Sequence, residues 1–157
     1  MDDELARLRT VADYQFGAGA GAALFPPTEE FEVTHSTSGR PRQVRAEAGR
    51  LVSYGTDGRF TLGLEGGRRL VATLPKPAAR VVVGSESEPF VRDGKNVFAK
   101  FVQAVDDDVR PNDEVAVVHT DGDVLAVGRA ELAADAMRDF EAGMAVKVRA
   151  GAEAKAD

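Results

Sequence analysis

Residues 90–102 read "FVRDGKNVFAKFV". An Asp93-Gly94 turn divides this stretch, and Arg92, Lys95, Asn96 and Lys100 gather around it. On its N-terminal side "SEPFVRDG" offers Ser87 as a helix N-cap, Pro89 in the first turn and Gly94 as the stop. On its C-terminal side "NVFAKFVQAV" is apolar and β-branched, so one continuous strand is expected. Because glycine has no Cβ, amides near Gly94 are expected to reach a phosphate. Arg92 and Lys95 would then supply charge, and Asn96 a contact to a sugar or base edge. Asp-Gly-Lys is equally ordinary solvated hairpin chemistry, and the residues alone leave both readings open.

Working outward, "RVVVG" reads as a short buried strand, and "DEVAVVH" and "VLAVGRA" as strands joined by an Asp121-Gly122 hairpin turn. In "AELAADAMRDFEAG", Leu132, Ala136 and Phe140 recur at helical spacing, with Gly143 as the expected end. "MAVKVRAG" alternates, which places Val146 and Val148 on one face and Lys147 and Arg149 on the other.

Pro75 and Pro77 bracket Lys76 in a rigid, non-helical segment. Residues 1–76 hold 10 basic and 10 acidic side chains, whereas residues 77–157 hold 10 and 16, the whole of the net −6. Two domains are therefore expected, 1–76 and 77–151, with a frayed tail over 152–157. The first opens with a helix carrying Leu5, Leu8 and Ala12 on one face. Strands are predicted in "EFEVTHS", "RPRQVRA", "RLVSYG", "RFTLGLEG" and "RRLVATL", with turns at Ser38-Gly39, Asp57-Gly58 and Gly66-Gly67. The fold class is α+β: a small helix-plus-antiparallel-sheet domain followed by a mixed β-barrel.

The absence of cysteine excludes disulfides and thiolate metal sites. "MDDELARLR" has no signal-peptide pattern and no run is long enough to span a membrane, so a cytoplasmic protein is expected. Fifteen of the 20 basic residues are Arg, and Asp outnumbers Glu. That balance fits either a salt-loving, halophilic source or a GC-rich genome. At about 1 M salt the Debye length is only ~3 Å, so anion binding there would rest on short contacts.

Several motifs resolve to bland readings. "FGAGAGAALF" lacks the preceding strand of a dinucleotide fingerprint, so its glycines are expected to serve a tight loop or close packing. His35 and His119 have no partners at ligand spacing, and no metal or cofactor is expected. Asp106–Asp108 reads as a solvated loop. Arg40, Arg42 and Arg45 in "RPRQVR" form a possible secondary RNA contact or a charged edge that blocks aggregation. Strand geometry would put Arg40 and Arg42 on one face and Arg45 on the other.

The span from Arg80 to Gly151 resembles a PUA domain. The resemblance rests on the Asp93-Gly94 turn entering "NVFAKFV", on Pro111 and Asp113 before "EVAVV", on "LAVGRAEL", and on the closing "GMAVKVR". Ala133 departs from it where relatives often carry a capping Ser. "VADYQFGAGAGAALFP" and "STSGRPRQVRAEAGRLVSYGTDGRFTLGLEGGRRL" are similar to the small domain preceding PUA in archaeal tRNA-guanine transglycosylases and archaeosine synthase.

The resemblance implies an RNA surface made of the helical turn, its glycine loop, the next strand and the last strand: Arg92, Gly94, Lys95, Asn96, Lys100, Lys147 and Arg149. The large catalytic domains of those enzymes have no counterpart in this sequence, so no catalytic residue is expected. The expectation is a non-catalytic protein that binds tRNA or other structured RNA in an archaeosine-type pathway. It would serve a separate tRNA-modifying catalytic subunit. The alternative is an assembly subunit that has lost direct RNA contact.

Overall fold

The structure, a computed structural model, describes residues 2–153. Its chain divides into two compact units, Met1–Pro75 and Lys76–Asp157.

The first unit runs α1 (Asp2–Phe16), α2 (Ala20–Leu24), β1 (Glu32–His35), β2 (Pro41–Ala46), β3 (Gly49–Tyr54), β4 (Phe60–Leu62) and α3 (Leu64–Thr73). The strands form an antiparallel sheet in the order β1-β2-β3-β4. Val33, Val44, Val52 and Leu62 align across all four strands, and the last three are buried. The Gln15 carboxamide ties α1 to β4, donating to the Phe60 carbonyl at 2.8 Å and accepting from its amide at 2.7 Å. The glycine run forms the corner between α1 and α2. Gly17 and Gly19 take φ of +109° and +92°, and a Cβ on Gly21 would collide with the Arg9 backbone.

"RRLVATL" is helix, not strand, and Gly66-Gly67 is not a turn. Seven residues with four apolar ones among them do not separate the two periods. Tertiary contact decides it, because Gly66 and Leu70 are buried and the helix backbone at Gly66 lies so close to the Leu51 carbonyl that no Cβ would fit. The strand expected over "RFTLGLEG" accordingly stops at Leu62.

The second unit contains β5 (Arg80–Val83), α4 (Glu88–Arg92), β6 (Val97–Phe98), β7 (Val102–Val105), β8 (Glu114–His119), β9 (Val124–Ala130), α5 (Ala134–Asp139) and β10 (Met144–Gly151). Its six strands are ordered β6-β10-β9-β8-β5-β7, with β5 and β8 parallel and the other pairs antiparallel. "NVFAKFVQAV" is therefore not one strand: a 3₁₀ turn at Ala99–Phe101 splits it into β6 and β7. Those two strands are the opposite edges of the sheet, yet only three residues join them. So short a link forces the sheet to curl into a nearly closed mixed barrel. Val81, Val83, Val97, Val115, Val117, Leu125 and Val146 fill the interior.

The last helix is shorter than its sequence pattern suggests. It buries Ala134 and Met137, while Phe140 lies beyond its end and is exposed. Ala133 takes the N-cap position and supplies no side-chain hydrogen bond. The expected frayed tail is ordered at its start, where the Ala152 amide donates to Leu125 O at 2.8 Å and the Glu153 amide to Arg92 O at 3.0 Å. The rest of that tail, residues 154–157, lies outside the described residues.

Candidate nucleic-acid interface

Helix α4 ends as the Gly94 signal requires. Gly94 has φ +95°; its amide donates to Val91 O at 2.9 Å and the Lys95 amide to Phe90 O at 3.0 Å, a Schellman closure. This corrects the expectation of amides available to a phosphate at Gly94 and Lys95, because both N–H groups close the helix instead. What the loop offers a ligand is its side chains.

Three contacts dock this loop on β10. The Asn96 side-chain oxygen accepts the Val148 amide at 2.9 Å, extending the β6–β10 ladder beyond Val97. Gly151 packs so closely on the α4 end that a Cβ would overlap the Arg92 carbonyl. The Glu153 amide caps the same carbonyl. The helical turn, glycine loop and last strand thus meet at one edge, with Lys95 one residue before Asn96 and Lys147 one before Val148.

The cations at this edge differ in state. Arg92 donates to Glu88 Oε2 at 3.1 Å and to Asp123 Oδ2 at 3.2 Å. Arg149 pairs with the buried Glu114 at 2.5 Å. Lys95 and Lys147 are exposed and form no ion pair among the described residues. Lys100 is exposed on the 3₁₀ turn with its ammonium 5.2 Å from the Phe101 ring centroid.

Cross-strand register adds a cation that the sequence pattern did not single out. Lys147 lies directly opposite Arg129, which lies opposite Glu114 on its other side. Directly opposed residues share a sheet face, so Lys147, Arg129 and Glu114 lie on one face; Arg149, the extra residue of a bulge between Val148 and Ala150, joins them through its ion pair with Glu114. Arg129 also donates to Glu131 at 2.9 Å. The hairpin turn between β8 and β9 braces α4 through Asp123, whose backbone amide also donates to Asp121 at 2.9 Å. That amide, helped by His119, holds the Asp121 carboxyl below the usual carboxylate range.

In the first unit the Arg40 guanidinium donates to Gly55 O and lies 4.6 Å from the Tyr54 ring centroid. Arg42 is the extra residue of a β-bulge, where Thr34 pairs with Gln43 and His35 with Pro41. A second bulge follows between Val44 and Arg45. The simple alternation expected for these arginines therefore does not apply: Arg42 and Arg45 are both exposed, while Arg40 is packed.

Residues 79–152 match the family profile of the PUA domain, and residues 6–77 that of the patch-forming domain C2 of tRNA-guanine transglycosylase. The chain therefore carries a C2 domain of the tRNA-guanine transglycosylase type followed by a PUA domain. The tRNA-guanine(15) transglycosylase of Pyrococcus furiosus is 44% identical over 155 residues, covering 98% of this chain and 26% of the relative. That of Methanothermobacter thermautotrophicus is 46% identical over 150 residues, covering 95% of this chain and 23% of the relative. The C2–PUA chain thus spans about a quarter of the curated relatives it matches.

Among solved structures, a hypothetical protein of Pyrococcus horikoshii aligns with TM-score 0.73 at 21% identity, covering 99% of this chain and 94% of that one. A conserved PUA domain protein of Thermoplasma acidophilum aligns at 0.65 with 22% identity, covering 96% and 90%. At that identity the likeness is one of fold. No helix among the described residues is long and apolar enough to cross a membrane.

Proposed function

We propose that this C2–PUA protein binds structured RNA, most specifically tRNA in an archaeosine-type modification pathway, and contributes contact without chemistry of its own. The observation that carries the reading is the Asn96–Val148 tie, which holds two exposed lysines without ion pairs, Lys95 and Lys147, at one edge. An ammonium without a carboxylate partner is available to a phosphate, whereas Arg92 and Arg149 would first have to leave theirs. Arg92 and Arg149 therefore act here as braces for the edge, and Arg129, which holds Glu131, lies beside Lys147 without being a free cation. Lys100 extends the basic rim, and Arg42 and Arg45 form a secondary contact on the C2 unit. The similarity to tRNA-guanine(15) transglycosylases supports tRNA as the RNA and a tRNA-modifying catalytic activity, in the same or a separate polypeptide, as the one served.

Titration of a folded tRNA against wild type and the single variants Lys95→Glu and Lys147→Glu tests this reading. Each variant is expected to weaken binding several-fold across RNA sequences, since backbone contacts carry no sequence information. Wild-type affinity in both variants would remove the surface.

A second reading follows from the −6 charge of residues 77–157 and from the carboxylates on Arg92 and Arg149. On that reading the tandem is an assembly module for a modifying enzyme and has no RNA affinity. Co-purification with a catalytic subunit, with no shift of any tRNA, would select it.

A further inference from the structure

The segment that leads from β5 into α4 is thinly held. Helix α4 has five residues, less than two turns, and buries only Val91. Neither its own hydrogen bonds nor an apolar face can fix where so short a helix lies. Its N-cap residue, Ser87, makes no side-chain capping bond. Polar ties from outside must therefore set its place. At the C-terminal end Arg92 supplies one, reaching Asp123 of the β8–β9 turn. At the N-terminal end the tie is His119.

His119 ends β8, is only 8% exposed, and has no part in the RNA contacts described above. One side of its ring meets Asp121 of the β8–β9 turn, with Nδ1 3.1 Å from the amide nitrogen and 3.0 Å from Oδ1. The other side meets the segment before α4, with Nε2 3.0 Å from Ser85 Oγ and 3.8 Å from Glu88 Oε1. A hydroxyl both donates and accepts, so the ring spans from the turn to Ser85 whichever nitrogen carries the hydrogen. A buried ring nitrogen left without a partner is costly, which draws Ser85 to His119 in preference to water.

This tie bears on one lysine of the edge and not on the other. The Lys95 amide donates to Phe90 O, so Lys95 follows α4, and the chain just after it is fixed by Asn96 on the Val148 amide. Lys147 stands on β10, paired with β9, and is placed without α4.

We propose that His119 is a positioning residue of the RNA-binding edge: by holding Ser85 to the β8–β9 turn it fixes α4 and so aims Lys95, without touching RNA itself. The inference rests on the RNA-binding reading above and adds that one of the two lysines is aimed from a residue buried in the barrel wall.

Double-mutant cycles on tRNA affinity test it, joining Ser85→Ala, His119→Asn and His119→Gln in turn to Lys95→Ala and to Lys147→Ala. Ser85→Ala deletes the hydroxyl at an exposed position and leaves β8 untouched. The Asn side chain keeps an acceptor near Nδ1 but falls short of Ser85, whereas Gln carries an N–H donor that reaches it. Lys95→Ala is expected to cost about 5-fold in wild type and below about 2-fold in Ser85→Ala or His119→Asn, where its aim is already lost. Lys147→Ala should cost the same in every background, and His119→Gln should behave as wild type. An undiminished Lys95→Ala effect in Ser85→Ala overturns the inference while leaving RNA binding intact. So does an equal shrinkage of both lysine effects, which would make the tie a support of the whole unit, and so does a Gln variant no better than Asn. No tRNA binding by the wild-type protein overturns the RNA-binding reading and this inference together.

Discussion

The PUA unit carries the entire net negative charge of the chain and the C2 unit is balanced, yet the PUA unit has the better-prepared cationic edge. In the C2 unit, Arg42 and Arg45 project singly from a strand broken by bulges. In the PUA unit, one side-chain hydrogen bond and one close glycine contact bring a loop and a strand together, so that Lys95, Lys147 and Arg129 join a single region. Net charge summed over a domain is a poor guide to anion binding at short range. What decides it is which cations already have a carboxylate, and how firmly the backbone gathers those that do not.

The largest effect should come from removing both unpaired lysines of the gathered edge. Lys95→Glu/Lys147→Glu is expected to weaken tRNA binding about 100-fold at low salt, measured by anisotropy, with circular dichroism unchanged. Next is Arg149→Ala. It strips the partner from buried Glu114 and should destabilise the PUA unit by about 2 kcal/mol in urea unfolding. Its effect on RNA affinity should be smaller than that of Lys147→Glu, which separates bracing from contact.

Ala133→Ser restores the missing cap of α5 and should stabilise the fold by about 1 kcal/mol without changing RNA affinity. Arg42→Glu/Arg45→Glu, the other side of the comparison, is expected to weaken binding only about 3-fold, by loss of long-range attraction. A loss as large as that of the double lysine variant would make the C2 arginines the main surface.

The smallest effect concerns acid stability of the C2 unit. Arg69, hydrogen-bonded to Glu29 at 2.7 Å, holds the Glu29 carboxyl below its ordinary range. A depressed folded pKa stabilises above the unfolded value, and the gain disappears as pH falls through the folded one. The melting difference between wild type and Glu29→Gln should therefore shrink below the ordinary carboxylate range and persist at neutral pH.

Local chemistry made much of this legible in the sequence. Gly94 as helix stop, the Asp121-Gly122 hairpin and the exposure of both Lys147 and Arg149 on the last strand depend on a few adjacent residues, and each is found in the structure, although a bulge at Arg149 interrupts the simple alternation. The misses share a different cause. "RRLVATL" became helix through contact with Leu51, and "NVFAKFV" broke because its ends pair with β10 and β5, far apart in the chain. Arg129 was invisible as Lys147's neighbour because cross-strand register is a three-dimensional fact. The free amides expected at Gly94 were lost to the same glycine signal that stops the helix: the αL turn that ends α4 also consumes its N–H groups.

The central claim is that unpaired cations of the PUA edge neutralise RNA phosphates. Its most direct measurement is tRNA affinity across a range of salt concentrations. If about four phosphates are neutralised, log Kobs should fall with log salt at a slope of roughly −3, and Lys95→Glu/Lys147→Glu should bring the slope to about −1. A slope identical in wild type and the double variant would contradict the account, whatever the absolute affinity.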